Sequence, residues 1–185
     1  QADKELTELS KPSQSFEGFI KPIGMTHGGK IHNNPGNIEI GTDAPGKIAN
    51  QSYASGRFAA FNTKEEGLAA IPHTLEKYDT NSVADAINIW KPLSEAGNTL
   101  EANESTINHI IKGLGKDTFD LSNPNDVKVL IEGITRFDSG ADSLKYYDNN
   151  SIEKAADMYL GITTPVSNKG ITPVIKPKPQ QTGMM

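Results

Sequence analysis

Between His32 and Phe61 the chain reads HNNPGNIEIGTDAPGKIANQSYASGRFAAF, and its polar chemistry is densest there. Side-chain amides stand at Asn33, Asn34, Asn37 and Asn50, acids at Glu39 and Asp43, and aromatic rings at Tyr53 and Phe58. Glycoside cleavage needs this kind of set. One protonated carboxyl must sit beside the leaving oxygen, often with a second carboxylate for a water or for the sugar cation. The acid works when burial or a neighbouring charge raises its pKa. Amides and aromatic faces hold the sugar. The same residues also have plainer uses. Asn34-Pro35-Gly36-Asn37 is a strong turn, with Pro setting φ at the second position and Gly supplying φ > 0 at the third. Phe58 and Phe61 suit a core as well as a ligand, and Glu65 and Glu66 suit the first turn of a helix.

Other chemistries find little support. There is no cysteine, which excludes disulfides, thiolate metal sites and a Cys nucleophile. The histidines His27, His32, His73 and His109 are scattered, whereas a metal site needs convergent ligands at tight spacing. No Walker loop, dinucleotide fingerprint, HExxH or GxSxG segment occurs. No metal or cofactor is expected.

The elements that must position these groups are mainly helical. Ile38 to Ile40, Lys47 to Tyr53 and Gly56 to Phe61 read as short strands around the turn Asp43-Ala44-Pro45-Gly46. Thr63 and Glu66 form a capping-box pattern that opens a helix running to Asp79, with Leu68, Ile71, Leu75 and Tyr78 on one face. Ser82 caps a second helix, which Pro92 ends. Leu93 to Asn103 reads as a polar connection. Glu104 to Leu114 is a third helix with Gly115 as its stop. Asn123-Pro124-Asn125-Asp126 opens a fourth, ending near Ser139-Gly140. By residue type alone, Asp138 is the end residue of that helix. Ser151 to Leu160 is the fifth, stopped by Gly161.

Composition bounds the rest. Of 185 residues, 35% are apolar, which suits a core of roughly 130 residues with flexible ends. The expected organisation is an N-terminal arm at 1–28, a domain at 29–161 and a Pro- and Lys-containing tail at 162–185. Phe16, Phe19 and Ile20 would pin the arm. The net charge is −5, and the tail holds lysines but no acid, so the acidic excess lies in the body. That argues against a phosphate-tracking nucleic-acid protein, which needs clustered Lys and Arg. No apolar run is long enough for a membrane span. The chain starts at Gln1 rather than Met, as a trimmed mature form or a fragment would.

The central stretch resembles a family of phage virion proteins and predicted peptidoglycan-degrading enzymes. The shared pattern is N-N-P-G-N-I at Asn33 to Ile38, F-x-x-F at Phe58 to Phe61, Thr63-Lys-Glu-Glu-Gly67, and Leu75-Glu-Lys-Tyr78. Trp90-Lys91-Pro92, Asn98-Thr99 and Ile134-Thr-Arg-Phe-Asp-Ser-Gly140 follow in the family's order, so the resemblance covers about 29–161. It implies a lysozyme-like, mainly α (α+β) domain with a small β-hairpin near 37–61. It also implies action on peptidoglycan glycan strands in the cell wall or periplasm during phage entry, alongside other virion proteins. The motif is also similar to the N-L-F-G-I-K element of flagellar-type glucosaminidases, where a catalytic Glu in E-S-G precedes it. Here Asp138-Ser139-Gly140 follows the motif, with Asp where the family usually has Glu. A circular permutation would make Asp138 the general acid, with Glu39 or Asp43 as the second acid. Asn33, Asn34, Asn37, Tyr53 and Phe58 would bind the sugar. The alternatives are a non-catalytic virion structural or ejection protein with a wall-binding groove, and a secreted bacterial wall enzyme.

Overall fold

Thr63 opens the first helix as its spacing predicts. Its side chain accepts from the Glu66 N–H at 3.1 Å, and its own N–H donates to the Glu66 carboxylate at 2.9 Å. Two otherwise orphaned donors are thereby satisfied. The computed structural model describes residues 32–53 and 56–162, with side chains outside 49–53. Within them run β1 (Lys47–Tyr53), β2 (Phe58–Phe61), α1 (Lys64–Leu75), α2 (Val83–Trp90), α3 (Leu100–Leu114), α4 (Pro124–Ser139), a 3₁₀ helix (Ala141–Lys145) and α5 (Asn149–Leu160). The expected arm with Phe16, Phe19 and Ile20 and the tail from 163 lie outside the described residues.

The protein is mainly helical with a small antiparallel sheet, an α+β fold. β1 and β2 pair as a hairpin, with Tyr53 opposite Phe58 and a register irregularity further along. The expected Ile38–Ile40 strand is a single bridge, Glu39 to Phe58. The bridge is held by Ile40 N–H to the Arg57 carbonyl and Ala59 N–H to the Ile38 carbonyl, both 2.9 Å, and turns begin at once at Ile40.

α4 is the central helix. Val127, Leu130, Ile131 and Ile134 line its buried face, and it packs against α1, α3 and α5. α1 lies along α5, and α2 along α3. Two helix boundaries differ from expectation by a turn. α1 stops at Leu75, and Lys77 and Tyr78 donate in tighter turns to the Thr74 and Leu75 carbonyls, so Tyr78 leaves the helix face. α3 begins at Leu100, because Thr99 is an N-cap whose hydroxyl accepts from the Ala102 N–H at 3.1 Å. The end of the expected polar connection is therefore helix.

Close backbone approach fixes the motif loop on this frame. A Cβ at Gly67 would lie 1.5 Å from the Asn33 carbonyl oxygen, so α1 sits directly on the loop. A Cβ at Gly36 would lie 2.9 Å from the Trp90 ring. Only glycine fits either contact.

Candidate functional site

The motif loop, the start of β2, the end of α1, the end of α2 and the end of α4 surround a cavity of about 700 Å³. That size falls in the range of ligand sites. Asp138, Glu39, Asn37 and Phe58 all line it, so residues a hundred positions apart in sequence meet there.

Asp138 sits at the end of α4, its side chain 6% exposed. The Lys91 ammonium donates to Oδ1 at 2.7 Å and the Trp90 indole N–H donates to Oδ2 at 2.8 Å. Both donors come from the end of α2. Burial pushes the Asp138 carboxyl above the usual carboxylate range, while the Lys91 charge and the two hydrogen bonds pull against that rise. The end of α2 is itself anchored. The buried Asn103 side chain donates to the Lys91 carbonyl at 2.9 Å and to the Asn88 side chain at 3.1 Å.

The motif loop docks on the same helix end. The Ser139 hydroxyl donates to the Pro35 carbonyl at 2.8 Å, and the Asn37 amide donates to the Asp138 carbonyl at 3.5 Å. Asn37 has φ 49°, a left-handed conformation that Asn tolerates. Tyr78 meets Trp90 edge to face, with centroids 6.4 Å apart. Burial pushes the Tyr78 phenol up to about 12, with smaller contributions from Asp138 and Glu39, so one ring feels both acids. At the rim, Arg57 bridges Glu39 and Glu95 and lies 4.8 Å over the Phe58 ring.

The other expected site residues are placed differently. Asn34 is fully buried, and its amide binds the loop backbone. It donates to the Ile38 and Ala59 carbonyls at 2.9 Å and accepts from the Ile38 N–H at 2.8 Å. The Asn33 amide donates to the Phe61 and Asn62 carbonyls at 3.1 and 3.3 Å, and its oxygen accepts from the Tyr146 hydroxyl at 3.4 Å. These two amides build the loop that shapes the cavity and do not line it. Asp43 is exposed outside the cavity, where its carbonyl accepts from the Lys77 ammonium at 2.7 Å. The side chains of Tyr53 and Asn50 lie outside the described residues.

Tyr78, Lys91, Arg57 and Glu95 carry much of the cavity's polarity, and residue types gave them no role in advance. For Tyr78 and Lys91 a signal existed, because both fall in motifs of the resemblance. Among the described residues no group of acids and histidines is arranged to hold a metal, and no helix is long and apolar enough to cross a membrane. No protein-family model matches the chain, and no curated protein matches it.

Proposed function

We propose that this cavity is a glycan groove and that the protein is a virion-associated peptidoglycan glycosidase, of lysozyme or lytic transglycosylase type, opening the bacterial wall during phage entry. The observation that carries this reading is the position of Asp138. It is a buried carboxyl with a raised pKa at the wall of a ligand-sized cavity, beside the aromatic rings of Trp90 and Tyr78. The peptidoglycan substrate and the virion setting rest on the motif resemblance.

In this reading Asp138 protonates the glycosidic oxygen as the bond to the anomeric carbon breaks. Trp90 holds the carboxyl in place. Lys91 yields its hydrogen bond on Oδ1 when the carboxyl takes up a proton. Glu39 is the second acid of the groove, positioned by Arg57, and faces the developing sugar cation. Without an activated water, a hydroxyl of the sugar itself captures the cation, as in a transglycosylase. A zymogram on cell walls tests the reading: the wild type clears the gel and Asp138→Ala does not. Clearing by Asp138→Ala at the wild-type level would remove Asp138 from the role.

One observation favours a second reading, a wall-binding virion protein without cleavage. Both Asp138 oxygens accept from N–H donors, as in a structural ion pair joining α2 to α4. Its signature is sedimentation with purified walls and no soluble product at any pH.

A further inference from the structure

Tyr78 belongs to two cavities. One is the groove described above. The other, about 560 Å³, lies beyond the end of α1 against the paired segments Ser82 and Thr118. Each alone is of ligand size. Two such cavities meeting at one aromatic residue suit a polymer that crosses the ring better than a small molecule held on one side.

The chemistry of the second cavity narrows its ligand. Its charged groups are each engaged within the protein, Lys116 by an acid and the two carboxylates by neutral donors. Lys116 pairs with Asp126 at 2.7 Å, Asp120 accepts from the Ser122 N–H and hydroxyl at 2.8 and 2.7 Å, and Glu76 accepts from the Tyr159 hydroxyl at 2.8 Å. The polar side chains that make no hydrogen bond among the described residues are neutral: the Tyr78 hydroxyl, the Asn81 amide and the Thr118 hydroxyl. The half-buried Leu121 supplies an apolar surface beside them, packed over the core that holds Phe119. Neutral donors and acceptors beside an apolar patch match a sugar ring, which presents hydroxyls at its edge and C–H groups on its faces. An anion finds no unpaired cation there, since Lys116 is taken by Asp126.

We infer that the second cavity is a further saccharide-binding subsite, and that a glycan strand runs from the groove over Tyr78 into it. The inference rests on reading the first cavity as a glycan groove. Isothermal titration of the full chain with N-acetylglucosamine trimer and hexamer tests it. Two added hydrogen bonds of about 1 kcal/mol each make the hexamer roughly thirtyfold tighter than the trimer. The double variant Asn81→Ala/Thr118→Ala changes exposed side chains only, and it abolishes that gain. Equal affinity for trimer and hexamer overturns the second subsite and leaves the groove standing, as does a gain that survives the double variant. If neither oligomer binds the wild type, the groove reading falls together with the subsite.

Discussion

Asn34→Ala separates a loop-building amide from a sugar-binding one. In the structure Asn34 is fully buried and makes three hydrogen bonds, two to carbonyls and one from the Ile38 N–H. The substitution leaves the Ile38 N–H without a partner in the interior, while the Ile38 carbonyl keeps the Ala59 N–H. An orphaned buried donor costs about 1–3 kcal/mol and each lost bond to a carbonyl about 1, so the total is about 3–5 kcal/mol. Whole domains are stable by only about 5–15 kcal/mol. For a domain of this size the melting temperature then falls by roughly 10–20 °C. Thermal melting followed by far-UV circular dichroism reads this directly. Asn34→Asp keeps the acceptor for the Ile38 N–H but sets a buried carboxyl against two carbonyl oxygens, so it costs at least as much as Asn34→Ala. If Asn34→Ala melts within a few degrees of wild type and instead loses binding to glycan oligomers, the amide is a ligand contact and the loop argument is wrong.

Three further outcomes are expected. Gly67→Ala drives a methyl into the Asn33 carbonyl and separates α1 from the motif loop, costing about 3 kcal/mol or more, visible in a urea titration. Thr63→Ala removes the α1 cap and costs about 1 kcal/mol, a shift of roughly 3–5 °C that leaves the cavity intact. Trp90 is the sole tryptophan and donates to Asp138, so its fluorescence reports that carboxyl. The transition falls above the ordinary carboxylate value and vanishes in Asp138→Asn. A raised folded pKa also means that the folded state holds the proton longer. The contribution to stability is full below the unfolded value of about 3.9 and declines as pH rises towards the folded value. Asp138→Asn flattens that decline in pH-dependent melting, and an unchanged slope contradicts the assignment.

The helical frame was legible because its signals are local. The Thr63 capping box, the Ser82 cap, Pro124 at the first position of α4 and the glycines after α3 and α5 each act within a turn of the chain. Misreadings came where tertiary pairing competes with pattern. Ile38–Ile40 alternates like a strand but finds only a bridge to Phe58, and Thr99 caps four residues that looked like loop. The site was half legible. Asp138, Glu39, Asn37 and Phe58 converge, yet nothing local says that the end of α2 delivers Trp90 and Lys91 to Asp138. Asn33 and Asn34 show the converse limit. An amide that satisfies the backbone of its own loop looks, in sequence, the same as one that faces a sugar.

The most direct test is the rate at which soluble fragments are released from purified peptidoglycan by wild type and by Asp138→Asn, with both proteins confirmed folded by far-UV circular dichroism. A positioned general acid contributes about 10²–10⁴-fold, so the account predicts measurable release by the wild type and a loss of at least about a hundredfold in the variant. Equal release by the two proteins, or none by the wild type across the pH range, contradicts it.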